Sequence, residues 1–350
     1  MRQLGFGSVG LIAALAMSVA AVAQSSDRVT TVNKRNYSGT INTVTRNDVT
    51  VETRGGNRKI PVNEIESVAF RDDPRELRSS RVAALRGAYE QARDELAKIS
   101  PDSIERDLVR QDLEFYLAWS EGMLALSGGD KGKAVRLLRA FEEAHPQSFH
   151  YYAVVKLLGE LAVAVGRADV AATYFKKYAE APFPKYQMEA AMAIAAAIRS
   201  EGKYAEALAE YEKVLANPLD SAEATRQKQF AQVGKAACLA ELGKPDEGIK
   251  LVQQVIRSNQ AQSNASLFAR AYNALGDCYR KKDQPKEALM AYLHTDLLFY
   301  QHPDAHAEAL YHLSRLWRES AKNTERALQA ETMLRSRYAG TVWAKKATGS

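Results

Sequence analysis

GDCYRKKDQPKEALMAY, residues Gly276 to Tyr292, sets Cys278 beside three consecutive cations, Arg280, Lys281 and Lys282. Three readings compete: a thiol activated by positive charge, a patch for nucleic acid, and one unit of a repeating helical hairpin. A cysteine near cations is a weak sign of reactivity, because thiolate chemistry also needs partial exposure and a lowered pKa. The second half of the stretch is more informative. Asp283-Gln284-Pro285 interrupts one helix and lets another begin, since proline suits the first turn of a helix. Ala288 and Tyr292 then fall four residues apart, on one face of that second helix.

The same arrangement recurs along the chain. After Asp72-Asp73-Pro74 the composition turns to Ala, Leu, Glu, Lys and Arg, with prolines at element boundaries. Small residues Ala92, Ala134, Ala171, Ala207, Gly248, Ala288 and Ala327 recur at spacings of 42, 37, 36, 41, 40 and 39. Five positions before each stands a turn residue: Gly87, Gly129, Gly166, Gly202, Gly243, Asp283 and Lys322. Four positions after come Leu96, Leu138, Phe175, Tyr211, Val252 and Tyr292, with Glu331 breaking the pattern. One helical face is apolar in repeat after repeat, which predicts about seven hairpins over residues 75–345.

This pattern resembles the tetratricopeptide repeat, with Leu275, Gly276 and Tyr279 on a first helix and Ala288 and Tyr292 on a second. Gly122 with Pro146, Gly159 with Phe175, and Tyr204-Ala207-Tyr211 match in part. The unit around Gly248 departs from it, with Lys235-Ala236 in place of Leu-Gly, and the last unit needs one extra residue between Ser314 and Ala327. A generic helical solenoid of a related repeat type is the rival reading. The resemblance implies a mainly α protein, a right-handed α-solenoid whose concave face binds a peptide or a partner helix. First-helix residues counted back from the anchors are candidates for that face: Trp119, Met123, Lys156, Glu160, Met192, Arg199, Phe230, Arg270, Asn273, Asp277 and Arg280. In the last unit the places fall to Tyr311, Arg315 and Arg318. The C-terminal half of the groove is rich in Arg, which forks onto carboxylates, so an acidic or C-terminal peptide is the expected partner.

Residues 28–71 read differently. Alternation of Val49 with Val51, Ile60 with Val62, and Ile65 with Val68 has the period of half-buried strands, and Asn47-Asp48 and Gly55-Gly56-Asn57 are hairpin turns. Four or five strands are expected, in a small antiparallel barrel or curled sheet resembling SH3-like or Sm-like modules. Eight basic and four acidic residues lie between Arg28 and Arg71, which places there most of the formal charge of +6. Arg35, Arg46, Arg54, Arg58 and Lys59 raise nucleic acid as a partner, but Tyr37 and Phe70 are the sole aromatics and stacking needs an exposed series. No nucleic-acid partner is expected; an anionic cell-wall or membrane surface is the alternative ligand.

Residues 1–23 carry Arg2, an apolar run from Val9 to Val22, and Ala21-Val22-Ala23 before Gln24. That is the form of a cleavable export signal, and the run is short of the ~20 residues that span a bilayer, although a retained anchor stays open. Export to an oxidising compartment permits disulfides, yet Cys238 and Cys278 each stand ten residues before an anchor. Equivalent positions of packed helices are about 8–10 Å apart, beyond the ~7 Å reach of a disulfide, so two buried free thiols are expected.

Chemistry is sparse. His302, His306 and His312 suggest a metal, but Pro303 opens a helix and leaves His302 outside it. No phosphate loop or nucleophile elbow is present. The expectation is an exported, non-catalytic scaffold without cofactor or metal, acting in the periplasm or cell envelope on other proteins. The alternative is a surface adaptor whose basic β module holds an anionic polymer.

Overall fold

The computed structural model describes residues 26–348, and the signal-like segment 1–23 lies outside the described residues. Among the described residues five antiparallel strands come first, β1 (Asp27–Thr31), β2 (Asn36–Val44), β3 (Asp48–Thr53), β4 (Gly56–Pro61) and β5 (Ile65–Ala69), in the order β4-β3-β2-β1-β5. β2 serves two partners: Asn36 to Gly39 pair with β1, and Thr40 to Val44 pair with β3. Gly39 is the pivot. A Cβ there would lie 1.9 Å from the Glu52 carbonyl oxygen, so only glycine allows the strands to approach this closely.

Val29, Val49, Val51 and Phe70 are fully buried on the inner face of the sheet and join one core with Leu77, Val109 and Leu113 of the first helices. Polar groups lock this junction. Asp27 accepts backbone N–H bonds from Ile41 and Arg71 and pairs twice with Arg106, at 2.7 and 2.8 Å. Burial opposes ionisation of Asp27, but Arg106 and the two amides outweigh it and hold its pKa below the usual value. Arg81 is sandwiched between Asp73 at 2.8 Å and Asp112 at 2.5 Å, all three buried, and His150 completes the set against Asp112 at 2.8 Å. Tyr152 donates to Asn47 at 2.9 Å across the same boundary.

Among the described residues seven helical hairpins follow. They are α1 (Arg75–Leu85) with α2 (Tyr89–Leu96), α3 (Asp107–Leu126) with α4 (Lys131–Ala144), α5 (Tyr151–Ala164) with α6 (Ala168–Ala179), and α7 (Pro184–Ser200) with α8 (Tyr204–Ala216). Next come α9 (Ala222–Glu241) with α10 (Pro245–Arg257), α11 (Ala265–Lys281) with α12 (Pro285–Leu298), and α13 (Pro303–Glu319) with α14 (Thr324–Arg337). α15 (Val342–Thr348) closes the stack against α13. All seven anchors are buried on second helices, from Ala92 on α2 to Ala327 on α14.

The turns explain the repeat signal. Gly87, Gly166, Gly202 and Gly243 have φ between 76° and 81°, and Asp283 and Lys322 adopt the same left-handed conformation at 56° and 51°. The residue after Gly243 closes the first helix by donating to the carbonyl five residues back, Lys244 to Leu239 at 2.8 Å, and Gln284 does the same to Tyr279 at 3.0 Å. Two units of the series, the second and the last, differ in detail. In the turn after α3 it is Gly128, not Gly129, that is left-handed, with one additional residue before Ala134. In the last unit Asn323 reaches Trp317, six residues back, which is the expected extra residue.

Two hairpins bury an aromatic ring against a glycine of their own first helix. A Cβ on Gly159 would meet the Phe175 ring at 2.7–2.9 Å, and one on Gly276 would meet the Tyr292 ring at 2.7–2.8 Å. Where Ala236 replaces glycine, the partner on α10 is the smaller Val252. Both cysteines are buried and free; burial raises the Cys238 thiol to about 11 and the Cys278 thiol to about 12, so neither is an activated nucleophile. Among the described residues no helix is long and apolar enough to cross a membrane.

Candidate functional site: the concave face of the helical stack

First helices touch one another along one row: α3 packs on α5, α7 on α9, α9 on α11, and α11 on α13. That row is the inner, tighter side of the curve, and its side chains form the groove. Three adjoining hollows run along it. The first, about 400 Å³, is walled by Lys156, Glu160, Tyr178, Glu189 and Met192. Here Glu189 is engaged, accepting from Lys156 at 2.8 Å and Tyr178 at 2.9 Å. Glu160 beside them is pushed above the usual carboxylate range, by burial and by the charge of Glu189.

Met192 passes from the first hollow into the second, a narrow space of about 90 Å³ between Arg199, Tyr211, Phe230, Arg270 and Glu308. The third, about 500 Å³, shares Arg199, Asp277 and Glu308 with the second and continues to Arg280, His312, Arg315 and Trp343. Its floor is a network. Asp277 accepts from the Tyr292 hydroxyl at 2.7 Å, and His312 stacks on the Tyr292 ring at 4.8 Å with its Nε2 3.7 Å from Asp277. Burial, aided by Arg280, Arg315 and Lys346, lowers the His312 pKa to about 4 and keeps the ring neutral. Arg280 binds Glu241 at 3.0 Å, while Lys281 takes the other oxygen of Glu241 at 2.5 Å.

Lys156, Met192, Arg199, Arg270, Asp277, Arg280, Tyr311 and Arg315 therefore line this groove. Four other residues singled out from the sequence sit elsewhere, among them Met123, which packs half-buried against the core of the first helices. Trp119 lines a separate hollow of about 200 Å³ between β5 and helices α3 and α5, with Phe115, Tyr152 and Val68. Asn273 is buried and braces α11 to α13, donating to the Ala305 carbonyl at 2.8 Å and to Glu308 at 3.0 Å, so it positions Glu308. Arg318 is outside the hollows, held by Glu331 at 2.8 Å.

The sequence reading missed Glu308, one helical turn before Tyr311 and His312 on α13; continuing that series back by one turn finds it. Trp343 and Lys346 come from α15, which no repeat pattern covers. Gly234 was missed as well: Tyr211 reaches across to α9, where a Cβ on Gly234 would lie 2.3 Å from its ring. Of the three histidines, His302 precedes α13, and His306 is buried between Asp296 and Tyr338. Among the described residues no group of His, Cys, Asp or Glu is placed to hold a metal.

Residues 188–310 match the family model described as tetratrico peptide repeat. No curated protein matches the chain. Among solved structures, a tetratricopeptide repeat protein from Parabacteroides merdae is 14% identical with a TM-score of 0.57, over 78% of this chain and 97% of that one. NprR in complex with its cognate peptide NprX is 15% identical, TM-score 0.56, over 78% and 82%. A Rap protein complexed with competence and sporulation factor is 15% identical, TM-score 0.55, over 77% of each. The helical region thus has the tetratricopeptide repeat fold, preceded by the small antiparallel sheet.

Proposed function

We propose that this tetratricopeptide-repeat chain is a non-catalytic interaction scaffold, exported to the periplasm or cell envelope, that holds partner proteins or peptides along its concave face. The observation that carries the reading is the continuity of the groove: three hollows joined through Met192 and through Arg199, Asp277 and Glu308. Such a trough suits an extended segment, and two proteins of the same fold were solved with a peptide or factor bound. Support for export is the apolar run Val9 to Val22 and the small residues before Gln24. Residues 28–71 and 75–345 are the proposed units, the first serving as the base of the second.

The surface-adaptor reading is the weaker one. Arg46 lies over the Tyr151 ring and 3.6 Å from Glu180, Lys59 pairs with Asp48, and Lys34 pairs with Glu66, which breaks up the basic face of the sheet.

A photo-cross-linking amino acid at Met192, inside the groove, tests the proposal against one at Met290, which is exposed on α12. Expressed in the native host, the Met192 variant should form discrete protein adducts in the envelope fraction, and the purified chain should begin near Gln24. Adducts from Met290 alone would reject the groove, and recovery of the intact N-terminus from the cytosol would reject export.

A further inference from the structure

The two edges of the sheet are built differently. β4, the outer strand on one side, is exposed at Arg58 and Lys59 and ends at Pro61, features that keep another strand from adding to it. β5, the outer strand on the other side, reads Ile65-Glu66-Ser67-Val68-Ala69, with one charge and no proline. Its free side follows from the ladder. Thr31 donates to Arg35 at 2.9 Å and accepts from Lys34 at 2.8 Å across the first hairpin, so Asp27, Val29 and Thr31 turn their backbone groups towards β2. Arg28 and Thr30 turn theirs towards Ala69 and Ser67 of β5, and Val32 continues the row by donating to Glu64 at 2.8 Å. The amides and carbonyls of Glu66 and Val68 therefore point outward, where no described segment pairs with them.

The hollow of about 200 Å³ borders β5 from Ile65 to Val68 and shares no wall residue with the groove. Phe115, Trp119, Phe149, Tyr152 and Tyr186 supply its rings, and Glu66, its one acid, is engaged by Lys34. Leu85 adds a wall from α1. Along that helix the spacing of Arg75, Arg78, Val82, Leu85 and Arg86 puts them on one face. Val82 and Leu85 are 45% and 53% exposed, and none of the three arginines is paired with an acid among the described residues. An unpaired strand edge, an aromatic hollow and a row of uncompensated cations thus adjoin.

We propose that β5 takes an acidic, extended segment of a partner protein as a sixth strand, and that one large apolar side chain of that segment fills the hollow. This surface is additional to the groove and does not depend on it. Outward amides and carbonyls in a row need a main chain whose own groups are unspent, which an extended segment offers and a helix does not. Alternate side chains of an added strand share a face, so the residues two positions before and after the one in the hollow also turn towards the helices. Arg75, Arg78 and Arg86 favour carboxylates there. A second copy of the chain fits less well. Pairing β5 to β5 would set the α1 arginines of both copies around one joint, and the β4 edge of a second copy would bring Arg58 and Lys59 to the same place.

The test uses a fluorescent nonapeptide of Thr with Phe at its centre and Glu two residues to either side, added to the purified chain. Two further peptides carry N-methyl groups on one or the other alternate set of backbone amides, and another replaces Glu by Lys. Methylation of one set should weaken binding about tenfold or more, and of the other set about threefold or less, because an added strand turns alternate amides to its neighbour. The Lys peptide should bind about tenfold more weakly than the Glu peptide, and R78E combined with R86E should invert that order. E66P, which removes one outward N–H at an edge that tolerates proline, should abolish binding, while E66Q keeps it. On the unmodified chain, failure of the Glu peptide to bind, equal effects of the two methylated sets, or equal binding of the Glu and Lys peptides overturns the proposal, whatever the variants do. Sedimentation of the chain alone tests the rival occupant: a dimer that E66P dissolves assigns the edge to a second copy and overturns the partner. The Met192 cross-link tests the groove separately, so the two readings fail independently.

Discussion

Replacing Gly276 by Ala tests the packing rule of the stack at its clearest copy. In an open helix the change would stabilise by about 1 kcal/mol, because glycine is the poorer helix former. Here the added Cβ lies 2.7–2.8 Å from the Cζ, Cε1 and Cε2 atoms of Tyr292. The ring is held on two other sides: its hydroxyl donates to Asp277 at 2.7 Å, and its face stacks on His312 at 4.8 Å. If the ring stays, overpacking costs about 1–3 kcal/mol. If it swings away, the bond to the carboxylate is lost as well, a further cost of about 1.5–3 kcal/mol. After the propensity gain the net loss is about 0–2 kcal/mol with the ring in place and about 1.5–5 kcal/mol with it displaced. Urea unfolding followed by circular dichroism reads the total, and hydrogen exchange in α11, α12 and α13 reads where it falls, since repeat arrays open locally. Tyr292→Leu in the same chain should recover part of the loss, giving a double mutant better than the sum of the singles. A Gly276→Ala protein more stable than the parent, or a strictly additive double mutant, would refute the reasoning.

Two more outcomes follow from buried charge. His312 has a folded-state pKa of about 4 against about 6.5 unfolded, so its contribution is present above pH 6.5 and lost as pH falls towards 4. Between pH 7.5 and pH 5 that one group removes about 2 kcal/mol, and His312→Gln should shrink the pH-dependent loss in urea midpoint by that amount; an unchanged loss contradicts it. Glu308, raised by burial and by Asp277, acts in the opposite direction, which is why the single-residue difference is the quantity to measure. Arg81→Met strands Asp73 and Asp112 without their buried cation and should cost about 3–5 kcal/mol. A shift in thermal midpoint no larger than that of a surface Arg→Met control would show that the pair does not hold the sheet to the helices.

Local rules made most of the architecture legible. The small anchor needs no knowledge of its neighbour to be recognised, because close helix packing demands a small side chain there, and the left-handed turn before it favours glycine. The groove was legible only as a face. Counting from the anchors identifies which side of each first helix points inward, and it placed Lys156, Met192, Arg199, Arg270 and Asp277 on the groove wall. It does not say what a neighbouring hairpin does to a side chain. Asn273 has the right position but is consumed by Ala305 and Glu308 on α13, a partnership across 32 and 35 residues. Trp119 has the right position too, but β5 approaches its end of α3 and makes a different hollow. Tyr211 also packs on Gly234 of the next hairpin, joining residues of both hairpins in one cluster. Such facts arise where units meet, and no single repeat contains them.

The joint between sheet and helices also bears on how long the stack can be. A row of hairpins has an exposed apolar flank at each end, and either flank could accept another hairpin from a second molecule. Here Val29, Val49, Val51 and Phe70 cover one end, while α15, with Ala344 buried, covers the other. The Asp27–Arg106 and Asp73–Arg81–Asp112 contacts rivet the first cover in place. Among the described residues both flanks of the stack are therefore covered, so a further hairpin would be accommodated by insertion between the covers and not by addition beyond them.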